Sequence, residues 1–278
     1  MSLNPPLDVK AALALARQLG LERGDAQTLL AERLQQSRAW LISHDDEALS
    51  PALAAQLASE MQQMAEGLPL AYVLGEKEFH GLRLRLSRDT LIPRADTETL
   101  VDWALELLPG LGVAPRVVDL GTGSGAIALA IKADHPAAEL SAVDLSAGAL
   151  EVARGNAERL GLAVEFLQGS WWNPLRGRSF ELIVSNPPYI AGQDPHLPAL
   201  RHEPLSALTP GGDGLSDLMA LIEGAPAHLS ASGWLLLEHG YDQAEPVALA
   251  LQDRGFVDVG LRHDLGGQPR VSGARWPG

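Results

Sequence analysis

From Pro115 onward, short apolar strands alternate with amphipathic helices, and this alternation restricts the fold more than any other feature. Strands joined by crossover helices lie parallel, so repeated units build a mostly parallel sheet with helices on both faces. The last two strands lie too close in sequence for such a helix and should pair antiparallel. The predicted strands are Arg116 to Leu120, Glu139 to Asp144, Val164 to Gln168, Phe180 to Ser185, Gly233 to Glu238, Val257 to Arg262 and Arg270 to Arg275. The predicted helices run from a cap at Asp96 or Thr97 to Leu108, and near 125–134, 146–160, 215–230 and 242–254.

The N-terminal part has a different pattern. From Leu7 to about Gly67, apolar residues recur every three or four positions, which predicts a small helical domain with breaks at Gly20, Gly24 and Ser50-Pro51. Either partner docking or a purely structural role is compatible with it. The alternating segment Phe79 to Ser87 then predicts a short hairpin or an extended linker. The predicted division is a helical domain over 1–75, a hairpin and linker over 76–95, and a larger α/β domain over 96–278.

Composition excludes several classes of function. The chain has 35 acidic and 21 basic residues, and the resulting charge of -14 disfavours loose binding to nucleic-acid backbones. It has no cysteine, which excludes disulfides, thiolate metal ligands and a cysteine nucleophile. The polar loop that contains Asp194, His196, His202 and Glu203 lacks the ligand spacing of a known site, so we expect no metal. No secretory leader or membrane-spanning run is visible, and a cytoplasmic location is expected.

The segment Val118 to Ala126, VDLGTGSGA, lies between the first strand of the sheet and a helix. Its alternating glycines allow a tight turn and leave no Cβ between the loop and a ligand, while the helix start offers free N–H donors. Asp144 ends the next strand, where a carboxylate can bind a ribose diol. The pattern predicts a nucleotide-type cofactor, either a dinucleotide or S-adenosylmethionine. The negative charge of Asp119 beside the loop favours the ammonium of S-adenosylmethionine over a pyrophosphate.

The strand Phe180 to Ser185 runs into Asn186-Pro187-Pro188-Tyr189 at the same edge of the sheet. The prolines fix φ and lack N–H groups, so this stiff turn presents carbonyl groups. The side-chain oxygen of Asn186 and the main-chain oxygen of Pro187 could orient a planar NH2 group towards a methyl donor, with Tyr189 as an aromatic wall. The turn therefore predicts methyl transfer to an amide or an exocyclic amine.

Several segments together carry a family resemblance. They are Leu91 to Glu98 (LIPRADTE), Asp119 to Ala128 (DLGTGSGAIA), Val184 to Ile190 (VSNPPYI), Asp194 to Leu197 (DPHL), Glu203 to Leu205 (EPL) and Leu235 to Gly240 (LLLEHG). From about Pro69 to Arg275 the sequence resembles the bacterial peptide chain release factor glutamine methyltransferases. Two departures are Ala95, where the family has a second proline, and a shorter stretch between Asp194 and Glu203.

The resemblance implies a Rossmann-like class I methyltransferase, with a mostly parallel seven-stranded sheet that ends in an antiparallel hairpin and a small helical N-terminal domain that docks the substrate. It implies methyl transfer from S-adenosyl-L-methionine, giving S-adenosyl-L-homocysteine, to the glutamine N5 of the GGQ motif in class I release factors, which modulates translation termination. It makes Asn186 and Pro187 catalytic and gives Asn186, Pro187, Pro188 and Tyr189 to the substrate. The implied cofactor contacts are Gly121, Thr122, Gly123, Ser124, Gly125, Asp144, Trp171 and Asn186.

Other interpretations stay open from the residues alone. DNA adenine N6-methylation would use the same acceptors but needs a basic recognition face and an extruded base. A nucleotide-binding dehydrogenase and a non-catalytic nucleotide-binding module are further alternatives. One set of residues forms either a substrate rim or an acidic helix start: Arg94, Asp96, Thr97 and Glu98. A second pair, Glu238 and His239, either lies at the crevice or is a structural pair. The tripeptide Gly266-Gly267-Gln268 copies the implied target and is interpreted as a plain hairpin turn.

Overall fold

A computed structural model describes residues 5–278 of the chain, which form two compact units. The first unit ends at Glu76, and its described residues are helical around a core that includes Leu29, Leu57 and Met61. Ser50 caps the fourth helix, so the predicted break at Ser50-Pro51 is confirmed. The predicted break at Gly24 is wrong, because this glycine is the second residue of a helix. The helices are α1 (Val9–Gln18), α2 (Arg23–Leu34), α3 (Arg38–Ser43), α4 (Pro51–Ala65) and α5 (Leu70–Leu74).

A hairpin of β1 (Glu76–Phe79) and β2 (Leu82–Arg85) confirms the hairpin predicted near Phe79, although its first strand begins earlier. His80 and Gly81 form its two-residue turn, with φ of 48° and 76°. Positive φ at both positions is the geometry of a type I′ turn, which matches the twist of paired strands.

The second unit, Lys77–Gly278, contains a seven-stranded sheet in the order β5-β4-β3-β6-β7-β9-β8. Strands β3 to β7 pair in parallel, and β9 and β8 add an antiparallel hairpin, which confirms the predicted fold class. The strands are β3 (Arg116–Leu120), β4 (Glu139–Asp144), β5 (Glu165–Gln168), β6 (Phe180–Ser185), β7 (Leu229–Glu238), β8 (Val257–His263) and β9 (Pro269–Arg275). The helices are α6 (Glu98–Leu107), α7 (Ala126–Asp134), α8 (Ala147–Leu160), α9 (Ser216–Gly224) and α10 (Ala244–Arg254).

Helices cover both faces of this sheet. Successive residues of β3 pack into different cores, Val117 into the one that contains α6 and α7 and Val118 into the one that contains α9 and α10. Because both faces are buried, the central strands are mostly apolar, and the polar groups that can meet a ligand lie at or beyond their carboxyl ends. Among residues 5–278, no helix is both long and apolar enough to cross a membrane.

Glycine is required where β9 passes beneath Trp103. A Cβ at Gly273 would lie 2.5 Å from both a Leu236 methyl group and the Trp103 ring. We expect Gly273→Ala to lower the free energy of unfolding by about 1–3 kcal/mol through overpacking. Gly155, exposed on α8 with open space around it, is the matched control, and Gly155→Ala should stabilise by about 0.5–1 kcal/mol. Urea unfolding of both variants measures this, and an unchanged midpoint for Gly273→Ala would contradict the packing described.

Candidate active site

The site lies where parallel strands β3 and β6 end side by side. Leu120 and Ser185 are register partners, and the Ser185 hydroxyl donates to the Leu120 carbonyl at 2.6 Å. The next residues are Gly121, which begins the glycine loop, and Asn186, which begins the Asn-Pro-Pro-Tyr turn. The strands that follow β3 in the chain are added on one side of it, as β4 and β5, and then on its other side, as β6 and β7. Ligands of such sheets bind at the switch point where this order reverses.

A cavity of about 580 Å³ opens at this edge. Five of the predicted cofactor contacts line it, and they come from the ends of four strands. Further parts of the wall come from the segment before α6, the start of α8, the loop before α9 and the start of α9. The five predicted residues are Gly121, Gly123, Asp144, Trp171 and Asn186, and the other lining residues include Arg88, Asp89, Leu91, Leu145, Ser170, Pro188, Pro204, Ala207 and Asp217.

The glycine loop is held by its own backbone and by Asp144. The N–H groups of Gly121 and Thr122 both donate to the Val143 carbonyl, at 2.9 and 3.0 Å. The Gly123 N–H donates to Asp144 Oδ2 at 2.8 Å, and Ser146 N–H donates to its Oδ1 at 2.8 Å. Burial raises the pKa of Asp144, and the backbone of Leu145 opposes this rise together with Ser146 and Gly123. A carboxylate has about four acceptor positions, so Asp144 fixes the loop and still offers an acceptor to a ligand in the cavity.

Three predicted cofactor contacts do not line this cavity. The Thr122 hydroxyl donates to Asp119 Oδ2 at 2.6 Å, and the Ser124 carbonyl accepts from Asn156 Nδ2 at 3.0 Å. Gly125 has a φ of 84° and directly precedes α7, where a Cβ would lie 3.0 Å from Leu129. Since Thr122 and Ser124 are buried, all three residues shape the loop from behind.

The expectation that the charge of Asp119 faces the ligand is wrong. Strand alternation turns Asp119 towards α7, where its carboxyl is fully buried close to the backbone of Ala128 in the first helical turn. Burial raises the pKa of Asp119 to about 7, with the hydrogen bond from Thr122 and the nearby backbone of Ala128 acting in the opposite direction. Its carboxyl is a structural support of the glycine loop.

Because the pKa of Asp119 is raised, we predict that the free energy of unfolding decreases as the pH rises. A carboxyl whose folded pKa exceeds its unfolded value stabilises the fold fully below the unfolded value of 3.8, and this contribution is lost as pH rises through about 7. Between pH 5 and pH 8 the loss is about 2–3 kcal/mol. Asp119→Asn does not titrate, so its free energy of unfolding should rise relative to the wild type by this amount over the same range. Urea unfolding at both pH values tests it, and parallel pH profiles would contradict it.

The two adjacent tryptophans have different surroundings. Trp171 has a φ of 42°, a strained conformation for a bulky residue, and its ring would lie 3.3 Å from a Cβ at Gly121. Trp172 stacks on His228 with ring centroids 4.9 Å apart, and its Nε1 donates to the Ala220 carbonyl at 3.2 Å. Trp171 therefore lines the cavity while Trp172 packs away from it, and adenine contact by Trp171 stays a prediction.

A second, smaller cavity of about 250 Å³ adjoins the first. Pro187 and Tyr189 line it, and Asn186 lines both cavities. Leu91 and Ala207 are also shared, and the other lining residues are Arg94, Ile190, Leu200 and Leu208. A group held in the smaller cavity would meet a ligand of the larger cavity at Asn186.

Glu203 fixes the rim of the smaller cavity, a function that sequence reasoning missed. Its buried carboxylate accepts from Arg94 Nη2 at 2.5 Å and from the Ile92 N–H at 3.0 Å. These contacts attach the loop that carries Leu200 and Ala207 to the segment before α6. The sequence signal that could have indicated this ion pair is that Arg94 and Glu203 each lie in a segment that carries the family resemblance. In the described part of the chain, no three His, Asp or Glu side chains form a group suited to a metal.

A buried polar network lies behind the Asn-Pro-Pro-Tyr turn. Asn186 Nδ2 donates to Thr97 Oγ1 at 3.2 Å, and the Tyr189 hydroxyl donates to Glu238 Oε1 at 2.9 Å. Glu238 is fully buried, which raises its pKa to about 7, while the nearby hydroxyls of Thr97 and Tyr189 oppose the rise. Burial also raises the pKa of Tyr189. Thr97 is the N-cap residue of α6, which confirms one of the two predicted caps, but its side chain makes no capping hydrogen bond because the hydroxyl faces this network.

His239, next to Glu238, has a structural position. It is fully buried, and its ring contacts the Ser272 hydroxyl and the Gly240 carbonyl at 2.8 Å each. The two residues do not form the structural pair that was one of the two interpretations, since Glu238 contacts Tyr189 of the turn and His239 contacts Ser272 of β9. The Gly266-Gly267-Gln268 segment forms the exposed turn between β8 and β9, as predicted.

The fold and the paired cavities define a Rossmann-like methyltransferase. Residues 101–215 match the family model described as the methyltransferase small domain, and residues 9–75 match the PrmC N-terminal domain. The chain is 49% identical over 270 residues to the release factor glutamine methyltransferase of Xylella fastidiosa (strain Temecula1), covering 96% of this chain and 98% of that protein. The Vibrio cholerae protein of the same name is 42% identical, with 98% and 96% covered. The chain belongs to the release factor glutamine methyltransferase family, which confirms the resemblance found in the sequence.

Solved structures support the fold alone. A methyltransferase from Pyrococcus furiosus superposes with a TM-score of 0.55 at 18% identity, covering 80% of this chain and 99% of that one. The catalytic domain of hMettl16, solved with an RNA hairpin, superposes with a TM-score of 0.58 at 17% identity, covering 80% and 81%. At such identities the likeness carries no information on substrate.

Proposed function

We propose that this chain transfers the methyl group of S-adenosylmethionine to the side-chain amide nitrogen, N5, of the glutamine in the Gly-Gly-Gln motif of class I peptide chain release factors. The observation that carries the proposal is the position of Asn186, which lines both the larger and the smaller cavity. Family membership supports the substrate, because the relatives are named for glutamine methylation of release factors.

The larger cavity fits S-adenosylmethionine. At Gly121 a Cβ would come within 3.3 Å of Trp171, so the absence of a side chain keeps this narrow part of the wall open to a ligand. Asp144 offers acceptors to the ribose hydroxyls, and Trp171 offers an aromatic face to the adenine. When bound, S-adenosylmethionine supplies the electrophilic methyl group.

The chain's own residues orient the glutamine amide in the smaller cavity. Asn186 Oδ1 and the Pro187 carbonyl accept the two N–H groups of the amide. An amide nitrogen is a poor nucleophile because its lone pair is delocalised, and two converging acceptors favour the pyramidal geometry that exposes this pair. They also stabilise the positive charge that develops on the NH2 group. Alignment supplies much of the rate, since well-oriented groups reach effective molarities of about 10⁵ M or more.

The partner and the location follow from the same proposal. We infer a protein substrate, a class I release factor, with no stable nucleic-acid or membrane partner, acting in the cytoplasm. The charge of -14 supports the absence of a nucleic-acid backbone partner. We further propose that the helical domain over 1–75 docks the release factor, that 76–95 links the domains, and that 96–278 carries catalysis.

DNA adenine N6-methylation is the runner-up, since an exocyclic amine could use the same two acceptors. It lacks support from the relatives, and the acidic composition provides little of the positive charge that duplex binding requires. A non-catalytic nucleotide-binding module would have no need for acceptors at the junction of two cavities.

The variant Asn186→Ala should reduce turnover by about 100-fold or more, because one of two charge-stabilising contacts is lost. Its affinity for S-adenosylmethionine, measured by calorimetry, should stay within a few-fold of the wild type. The assay uses labelled S-adenosylmethionine with a release factor, its Gln→Ala variant and duplex DNA as separate acceptors.

Label in the wild-type release factor alone supports the proposed substrate. Label in DNA, or equal label in the Gln→Ala factor, would overturn it. Loss of both turnover and cofactor affinity in Asn186→Ala would show instead that Asn186 is needed for the structure of the larger cavity.

A further inference from the structure

Two walls of the larger cavity come from different parts of the chain. One is the glycine loop, of which Gly121 and Gly123 line the cavity. The other is the 86–92 segment, which follows β2 and includes the lining residues Arg88 and Asp89. Because β2 belongs to the two-stranded sheet, the pairing of the larger sheet does not set the position of this segment relative to the loop. A third element that contacts both walls is needed to fix their separation.

Asn156 on α8 contacts the backbone of both walls. Its side chain is fully buried, and its Oδ1 accepts the Arg85 N–H at 2.8 Å while its Nδ2 donates to the Arg85 carbonyl at 3.0 Å. Arg85 is the last residue of β2 and leads directly into the 86–92 segment. The same Nδ2 donates to the Ser124 carbonyl of the glycine loop at 3.0 Å. Both N–H donors of one amide are therefore divided between the two walls.

Two close contacts place α8 against the same two walls. A Cβ at Gly125 of the glycine loop would lie 3.3 Å from the Ala153 Cβ, so the loop rests directly on the helix. A Cβ at Gly148, in the first turn of α8, would lie 2.8 Å from Asp89 Cγ and 3.1 Å from Asp89 Cβ. The 86–92 segment is thus in contact with α8 as well, at a point separate from Asn156.

The hydrogen bonds of Asn156 require an asparagine amide. An aspartate could accept the Arg85 N–H, but its second oxygen would face the carbonyl groups of Arg85 and Ser124 without a proton to donate. A leucine of similar volume would leave these main-chain groups without their partner, and such buried groups cost free energy until the backbone moves to satisfy them. Loss of the amide should therefore displace the loop and the segment rather than leave them in place.

We propose that Asn156 is a positioning residue for the cofactor, which fixes the glycine loop and the 86–92 segment on α8 at the separation that S-adenosylmethionine requires. Asn156 does not line the larger cavity, so it acts through the two walls and not by contact with the ligand. The inference rests on the proposed function only for the location of S-adenosylmethionine in the larger cavity, and it is independent of the methyl acceptor.

Asn156→Leu tests the inference because it keeps the volume of the side chain and removes its hydrogen bonds to both walls. We expect the Kd for S-adenosylmethionine, measured by calorimetry, to rise about 10-fold or more. At saturating S-adenosylmethionine, kcat should stay within about 3-fold of the wild type, since neither cavity is lined by Asn156 itself. Gly273→Ala is the control for lost stability, because Gly273 also lines neither cavity, and its Kd should match the wild type.

Gly148→Ala tests the second contact with a substitution that a helix favours. Its methyl group would displace Asp89, and since the Asp89 Cβ is also close, turning the carboxylate alone does not relieve the contact. We expect the Kd for S-adenosylmethionine to rise about 3-fold or more. Gly155→Ala is the matched control, because it is the same substitution on the same helix with open space around it. Its Kd should match the wild type.

An Asn156→Leu variant that binds S-adenosylmethionine as tightly as the wild type would overturn the inference, and so would a Gly273→Ala variant that loses as much affinity. If Asn156→Leu does not fold, the glycine pair decides, and equal Kd values for Gly148→Ala and Gly155→Ala would overturn the inference. Failure of the wild type itself to bind S-adenosylmethionine would instead count against the proposed function.

Discussion

The parallel pairing of β3 and β6 is the constraint on which the site depends. Leu120 and Ser185 are partners in register, so the chain leaves the sheet at Gly121 and at Asn186 as immediate neighbours. A Cβ at Gly121 would lie 4.0 Å from the main-chain oxygen of Asn186. A cofactor loop and an acceptor turn that are 65 residues apart in sequence are thereby held together by the hydrogen bonds of one strand pair. Burial of both faces of the sheet keeps that register fixed.

Each of the two functional turns is supported by a buried carboxyl group. Asp119 lies beneath the glycine loop and binds Thr122, while Glu238 lies beneath the Asn-Pro-Pro-Tyr turn and binds Tyr189. Burial raises the pKa of both groups to about 7. Burying such groups costs free energy, and their hydrogen bonds recover part of it while fixing the geometry of the turns. The two buried carboxyl groups therefore lower the stability of the fold at the places where the reacting groups need a defined orientation.

The elements that bury apolar residues on a regular period were predictable from the sequence. The predicted β3, β4 and β6 agree with the structure because these strands are buried on both faces. Strand β7 begins at Leu229, four residues before the predicted start. The start was missed because residues 230–233 are small or polar and do not show the apolar pattern of a strand. Gly24 was misjudged because a helix tolerates glycine in its first turn.

The candidate site was predictable only where its residues follow one another in sequence. The two turns, Asp144 and Trp171 carry local signals. Of these residues, all line the cavities except Thr122, Ser124 and Gly125, which lie behind the glycine loop. The contacts of Arg94 with Glu203 and of Thr97 with Asn186 join residues 109 and 89 positions apart, and nothing in the local sequence specifies such pairs. The side of β3 to which Asp119 turns likewise depends on which helix covers each face.

We propose that Asn186, which lines both cavities, lies between a bound cofactor and a bound glutamine. A crystal structure with S-adenosylhomocysteine and a Gly-Gly-Gln peptide tests it most directly. The account predicts that the sulfur lies in the larger cavity and that the glutamine amide nitrogen lies within hydrogen-bond distance of Asn186 Oδ1 and of the Pro187 carbonyl oxygen. A glutamine bound outside the smaller cavity, or an Asn186 whose NH2 group faces the glutamine nitrogen, would contradict the account.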